Sequence, residues 1–242
     1  MVMKKNKKAI VVGASSGIGK ELVKVLVENN YKVGLTGKEK DILDESRNGY
    51  LEDVEISCFD CTIDNNSEKI IELVTQLNGL DLLIFSAGIG NLNKNLGFEI
   101  ENQANKLNVL AFTEIADWSY RFFEKQGYGH FVALSSVAGL FGYRFAPAYH
   151  AAKSYQISYL EGLRQKAYQS DKPIYVTDIR PGYVDTSMSK NKKRFWVLTA
   201  ENAAKQIFDL IVRKKDVAYV SKKWQLVAIG LKLLPRWLRK RM

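Results

Sequence analysis

The chain has 242 residues, 46% hydrophobic and 26% charged, which is the composition of a folded globular protein with a large apolar core and excludes a disordered or fibrous one. One domain is expected, because α/β folds of this length commonly form a single domain. The formal net charge is +10, but the last 22 residues carry seven Lys or Arg and no acid, so the first 220 residues are nearly neutral, with 29 basic and 26 acidic side chains.

Short apolar runs alternate with longer helical patterns along the chain. The strand candidates are residues 8–14, 31–37, 54–60, 80–88, 129–136, 174–180 and 217–221, and most are too continuously apolar for a half-exposed sheet. Helical patterns cover residues 19–30, 66–77, 99 to about 125, 148 to about 168, and 200–214. The alternation predicts one doubly wound α/β domain with about seven mainly parallel strands and helices on both faces.

The first strand runs into a glycine-rich turn, "GASSGIG", at the start of a helix. Gly13, Gly17 and Gly19 would let the backbone turn sharply and approach a pyrophosphate, while the free N–H groups of the helix start favour negative charge. The intervening residues predicted to contact the same cofactor are Ser15, Ser16 and Ile18. A loop of this kind after the first strand of a βαβ unit indicates dinucleotide binding.

A tyrosine and a lysine are four residues apart in "PAYHAAKSYQ", where Pro147 precedes a helical pattern. Positions i and i+4 share one helix face, so Tyr149 and Lys153 would emerge side by side. The pair alone is compatible with chemistry or with an ordinary helix surface, on which the lysine stem covers the ring.

The G-x-x-x-G-x-G turn, "SAG" at 86–88, "SS" at 135–136 and Tyr149-x-x-x-Lys153 together resemble the short-chain dehydrogenase/reductase family. The resemblance extends from residue 8 to about residue 221, with the motifs in the family's order. It implies a Rossmann fold and an NAD(P)-dependent oxidoreductase that acts on CH–OH or C=O groups.

The resemblance also implies a catalytic tetrad. Ser136 stands 13 residues before Tyr149, as in the family, and Asn108 lies in the preceding long helix. Tyr149 would give the proton to a developing alkoxide, Lys153 would favour the phenolate and bind the cofactor ribose, and Ser136 would polarise the carbonyl. Asn108 would hold a water behind Lys153. A regulator that binds the cofactor without turnover is the alternative, and the complete tetrad argues against it.

The remaining cofactor residues follow from the same resemblance. Asp60, after the third strand, would contact the adenine amino group, and the segment "RPGYVDT" would lie beside the nicotinamide. Ser86 stands where the family usually has asparagine, which concerns support of the sheet. The predicted cofactor contacts beyond the glycine turn are Lys38, Asp60, Cys61, Ser86, Ala87, Gly88, Tyr149, Lys153, Pro181, Gly182, Val184 and Thr186.

The end of the second strand bears on the choice between NADPH and NADH. NAD-preferring relatives usually place an acid there to bind the adenosine ribose, whereas this chain has Gly37 followed by Lys38. A cation without that acid predicts NADPH in preference to NADH. Glu39 is near enough to weaken the argument, and Lys38 could instead be a solvated lysine at a helix start.

The segments that build the family's substrate pocket are apolar in this chain. They contain Leu140, Phe141, Tyr143, Phe145, Met188, Phe195 and Trp196. These side chains predict a small apolar or lipid-like ketone or aldehyde as substrate, although they could also pack a lid or a subunit contact. Family resemblance predicts a homodimer or homotetramer through the two long helices.

The two cysteines, Cys58 and Cys61, have no second pair with which to form a metal site, so reduced thiols in a cytoplasmic protein are expected and no metal is predicted. We find no pattern of a secretion signal at the start of the chain.

The last residues predict a basic amphipathic extension, 222–242, beyond a catalytic domain of 1–221. Its longest apolar run has six residues, too few to span a bilayer, but its leucines, tryptophans and cations suit the surface of an anionic membrane. The alternative is that residues 224–234 fold over the pocket or a partner subunit. No nucleic-acid partner is predicted, because the body is nearly neutral and lacks a recognised motif.

Overall fold

The computed structural model describes residues 7–48, 50, 53–63, 65–186 and 195–241. Its strands are β1 Lys7–Val12, β2 Tyr31–Gly37, β3 Val54–Cys58, β4 Leu82–Phe85, β5 Gly129–Leu134, β6 Ile174–Arg180, β7 Val184–Asp185, β8 Leu198–Thr199 and β9 Val217–Tyr219. Seven of them form one sheet in the order β3-β2-β1-β4-β5-β6-β9, with every neighbouring pair parallel. The prediction of a single doubly wound sheet is confirmed.

Helices cover both faces of this sheet. They are α1 Gly17–Glu28, α2 Lys40–Arg47, α3 Asn66–Leu77, α4 Phe98–Asn105, α5 Phe112–Gln126, α6 Pro147–Gln169, α7 Ala200–Val212, α8 Lys222–Leu233 and α9 Arg236–Arg239. One core contains side chains of α1, α2 and α7, and the other contains side chains of α3, α5 and α6. Because both faces are covered, the strands must be apolar on both sides, which explains why they read as continuous apolar runs.

Several features differ from the sequence prediction, among them a separate two-stranded sheet of β7 and β8. The pattern for the helix from 99 to about 125 is interrupted by a π-helical segment, Lys106–Ala111, between α4 and α5. Helix α2 was not predicted, because it has eight residues and buries only Leu43, so it carries little periodic signal.

Helix α8 packs against the body of the protein. Trp224 and Ala228 are buried and form a small core with Val137, beside the half-buried Leu140 and Tyr219. Within the described parts of the chain, no helix has both the length and the hydropathy needed to cross a bilayer. The first turns of the basic extension therefore belong to the packed structure.

Candidate active site

The strand ends at the carboxyl edge of the sheet bring the predicted phosphate loop against the loop after β4. A Cβ atom on Gly13 would lie 2.6 Å from the Ala87 Cα, and one on Gly19 would lie 2.1 Å from the Gly13 carbonyl oxygen and 3.1 Å from the Ser86 Oγ. Gly13 and Gly17 have φ of +83° and +56°, a region that favours glycine. Side chains at these positions would push the two loops apart.

The start of α1 is suited to an anionic group. Ser16 precedes the helix in extended conformation, and its side chain forms no capping hydrogen bond. A Cβ atom on Gly17 would lie 2.8 Å from the Thr186 Cγ2, and one on Gly37 would lie 3.1 Å from the Ser15 Cβ. These contacts gather the ends of β1, β2 and β7 around the N-terminus of α1, which fits a pyrophosphate. Ile18 instead packs its side chain on the core.

Asp60 and Lys38 lie near each other at the ends of β3 and β2. The Thr62 N–H and hydroxyl both donate to Asp60 Oδ1, each at 2.8 Å. Partial burial acts to raise the pKa of Asp60, but the Thr62 hydrogen bonds and the positive charge of Lys38 lower it below its usual value. Cys61 beside it is buried, and burial together with the charge of Asp60 raises the pKa of this thiol to about 12.

Lys153 is buried beside Tyr149 on the first turns of α6. The residue is 4% exposed, and its ammonium donates to the Leu134 carbonyl at 2.9 Å and lies 6.0 Å from the centre of the Tyr149 ring. Burial lowers the pKa of Lys153 to about 7, although the negative charge of Asp178 acts in the opposite direction. A cation that titrates near neutral pH beside a phenol can assist proton transfer.

The Tyr149 ring is enclosed on two sides. A Cβ atom on Gly90 would lie 2.9 Å from the ring, so only glycine allows this approach of the loop after β4. The buried imidazole of His150 lies 5.8 Å away between ring centres, and its Nδ1 is 2.8 Å from the Phe141 carbonyl oxygen. A Cβ atom on Gly88 would lie 3.6 Å from the Lys153 Nζ, which puts this turn beside the same ammonium.

The two serines after β5 turn in different directions. Ser136 Oγ donates to the Pro181 carbonyl at 3.4 Å and accepts from the Ala138 N–H at 3.1 Å. Ser135 is buried and donates to Asp178, which is paired with Arg180 at 2.6 Å. Ser135 therefore belongs to a buried polar network, while Ser136 contacts the turn after β6, and its catalytic role stays a prediction.

Asn108 lies in the π-helical segment, a distortion often found at functional sites. Its side chain donates to the Ile89 carbonyl at 2.7 Å and accepts from the Ile89 N–H at 3.0 Å, which fixes the loop after β4. Its backbone carbonyl accepts from the Gln156 side chain at 2.8 Å, and the same side chain accepts from Lys153 at 2.9 Å. Asn108 and Lys153 are thus connected through the side-chain amide of Gln156.

Gln156 was missed in the sequence analysis. Its position three residues after Lys153, on the same helix face, is the signal that could have identified it.

The predicted pocket residues form two groups. Phe141 and Tyr143 pack on His150, and Phe145 packs on Tyr143; Leu140 belongs to the small core beneath α8. Phe195 and Trp196 are 57% and 49% exposed, and Phe195 stacks on Trp224 at 5.7 Å. Met188 lies outside the described residues.

The turn after β6 lies between these groups. A Cβ atom on Gly182 would lie 2.0 Å from the Trp224 ring, so α8 is seated directly on this turn. Pro181 and Val184 on either side are buried.

A family model described as short chain dehydrogenase matches residues 7–195. The chain belongs to this family. As a member, it is an NAD(P)-dependent short-chain oxidoreductase.

Similar proteins come from several organisms. A dehydrogenase/reductase SDR family protein 7-like of Dictyostelium discoideum is 27% identical over 202 residues, covering 78% of this chain and 62% of the relative. The chain thus spans about three fifths of that relative's length. An oxidoreductase of Staphylococcus aureus is 28% identical over 193 residues, covering 78% of this chain and 83% of the relative. A short chain dehydrogenase from Burkholderia cenocepacia, solved with NADP, superposes with a TM-score of 0.82 at 20% identity, over 98% and 97% of the two chains.

Proposed function

We propose that the protein is an NADPH-dependent carbonyl reductase that interconverts an apolar or lipid-like ketone or aldehyde and its alcohol, with Tyr149 as the proton donor. The observation that carries this proposal is the burial of Lys153 one turn after Tyr149, with its pKa lowered to about 7. A surface lysine that merely covered a ring would remain solvated.

The proposed residues divide the work between acid, cation and hydrogen-bond donor. Tyr149 gives its proton to the carbonyl oxygen as negative charge develops there, and Lys153 makes the phenol a stronger acid. Ser136 donates a hydrogen bond to the same oxygen, and Asn108 holds the loop after β4. The nicotinamide supplies the hydride when it is bound.

Support for the proposed cofactor contacts comes from the close approach of the ends of β1, β2, β4 and β7 around the start of α1. Preference for NADPH is supported by Lys38, which is exposed after β2, where Gly37 offers no carboxylate for the ribose of NADH. The solved relative from Burkholderia cenocepacia contains NADP.

An apolar substrate is supported by the aromatic residues on either side of the proposed catalytic edge. The Phe141 and Tyr143 group borders Tyr149 through His150, and the Phe195 and Trp224 group borders the turn at Gly182. Rings of this kind recognise hydrocarbon better than hydroxyl or carboxylate groups.

We further propose that the extension 222–242 rests on an anionic membrane surface, which would place the protein at the inner face of the cytoplasmic membrane. We also propose that the protein forms a homodimer or homotetramer. The residues supporting the proposed membrane contact form an outward apolar face next to exposed cations: Leu226, Ile229, Leu233 and Trp237 are 71%, 50%, 77% and 60% exposed, and Lys222, Lys223, Lys240 and Arg241 are exposed. Helix α8 would then be apolar on two faces, one seated on the turn at Gly182 and one toward lipid. The proposed boundary at residue 221 therefore marks a change in charge, because α8 beyond it still packs against the catalytic domain.

The test of the proposed reaction is NADPH oxidation with ketones, aldehydes, quinones and oxoacyl thioesters graded by chain length. We expect kcat/KM to rise with the length of the apolar chain. Turnover of polar substrates at the same efficiency would contradict the apolar pocket, and an absence of turnover with every carbonyl class would favour a non-catalytic regulator.

A further inference from the structure

Gln156 connects two members of the proposed tetrad. The side chain is fully buried, accepts from Lys153 Nζ at 2.9 Å and donates from Nε2 to the Asn108 carbonyl at 2.8 Å. A buried amide with both ends bonded is costly to displace, because each lost partner leaves an unsatisfied polar group.

The two partners allow the amide only one orientation. The ammonium of Lys153 can only donate, so it requires the Gln156 oxygen, and the Asn108 carbonyl can only accept, so it requires the nitrogen. Rotation of the amide by half a turn would break both bonds. The carbonyl of Leu134 takes a second N–H of the ammonium at 2.9 Å. The lysine is thereby held in place from β5 and from α6, and its third N–H can serve the phenol or the ribose.

Among the described residues, one charged group acts on the Lys153 ammonium. It is Asp178 on β6, which is already paired with Arg180 at 2.6 Å. Tyr149 is the titratable group on the same helix whose ring lies near the ammonium. In such a buried position, a single neutral acceptor has a large effect on whether the amine keeps its proton.

We propose that Gln156 is a positioning residue that fixes the Lys153 ammonium toward Tyr149 and couples it to the π-helical segment through the Asn108 carbonyl. This inference rests on the proposed function for its effect on turnover. Its effect on the titration of Lys153 can be measured without any substrate.

Two substitutions at Gln156 should shift this titration in opposite directions. Gln156→Met keeps the length of the side chain but offers no strong acceptor, so the pKa of Lys153 should fall by about one unit. Gln156→Glu places a negative charge against the ammonium, so the same pKa should rise. The measurement is a lysine side-chain NMR titration in which Lys153→Met identifies the signal.

Turnover gives a second readout. The alkaline limb of the kcat/KM profile reports the first proton lost from the coupled Tyr149 and Lys153 pair. It should move to lower pH by about one unit in Gln156→Met, a loss of about tenfold above the original midpoint, and to higher pH in Gln156→Glu. A failed carbonyl screen would leave the NMR test intact.

Leu160→Ala, one turn further along the same helix and fully buried, is the control for general loosening of α6. It should lower the melting temperature without moving the Lys153 pKa. An unchanged pKa in Gln156→Met, or shifts of the same sign in both variants, would overturn the proposal. If the Met variant does not fold, Gln156→Glu decides alone, and a pKa that does not rise counts against it.

Discussion

At the scale of single residues, the buried ammonium of Lys153 connects stability with pH. Its pKa is about 7 in the folded protein, whereas an ordinary lysine has a pKa of about 10.5, so between these pH values the unfolded chain binds more protons at this site. The stability contributed by this site therefore rises with pH over that window. Lys153→Met removes the effect, so the melting temperature of the variant relative to that of the parent should be highest at pH 7 and below and should fall toward pH 10.

Lys166→Met, an exposed lysine on the same helix, controls for the loss of a charge. The measurement is a series of thermal melts across pH. A stability difference for Lys153→Met that stays constant from pH 6 to pH 10 would show that burial does not suppress protonation of this lysine.

Tyr149→Phe tests the proton donor directly. The substitution removes one oxygen and keeps the ring against Gly90, so turnover should fall by about 10²–10⁴-fold while NADPH affinity changes little. Tyr155→Phe is the matched control on the same helix, since its hydroxyl bonds only to Thr113 among the described contacts and is partly exposed. If Tyr149→Phe retained most of the turnover of the parent, Tyr149 would not be the proton donor.

Lys38→Asp tests the cofactor preference. Loss of a charge-assisted contact to the 2′-phosphate and gain of a repulsive carboxylate should lower NADPH affinity by about 10- to 100-fold and leave NADH less affected. Lys125→Asp, near the end of α5 at the opposite edge of the sheet, makes the same change of charge. The dissociation constants of NADPH and NADH are measured by cofactor fluorescence. Equal affinities for the two cofactors in the parent would contradict the proposed preference for NADPH.

At the scale of elements, α8 supports the turn that follows β6. Trp224 is buried on Gly182 and stacks on Phe195, so Trp224→Ala should lower the free energy of unfolding by about 3–5 kcal/mol and weaken cofactor binding through the displaced turn. Leu226→Ala on the outward face of the same helix should change stability by no more than about 0.5 kcal/mol. Denaturant melts measure both, and similar losses in the two variants would mean that α8 is not seated on the turn.

At the scale of the whole molecule, the proposed binding to an anionic membrane uses both the outward apolar face of the extension and its cations. Truncation at residue 221 would also remove the buried Trp224, so substitution is the cleaner test. The triple variant Leu226→Ser, Leu233→Ser and Trp237→Ser should bind vesicles of phosphatidylglycerol and phosphatidylcholine at least about tenfold more weakly than the parent. High salt should weaken binding of the parent.

The control for this measurement changes three exposed apolar residues on other surfaces. The variant Ile63→Ser, Ile71→Ser and Val212→Ser alters side chains that are 68%, 49% and 59% exposed. It should sediment with vesicles like the parent. Equal sedimentation of the tail variant and the parent would leave α8 as a structural lid only.

The sequence by itself determined the α/β alternation, the glycine turn and the family. These signals are local. Each of them, whether a strand or helix period, the glycine spacing or the Tyr-x-x-x-Lys pair, depends on a few consecutive residues. The structure has the parallel sheet that the predicted α/β class requires, and helices cover both of its faces.

Only the tertiary structure decided how distant residues meet. The seating of Trp224 on Gly182 and the hydrogen bond from Gln156 to the Asn108 carbonyl join parts of the chain far apart in sequence. A pattern read from neighbouring residues reports propensity and periodicity, whereas burial and hydrogen-bond partners depend on which elements pack together. For the same reason, the lowered pKa of Lys153 could not be predicted from its spacing to Tyr149, since burial by surrounding elements causes it.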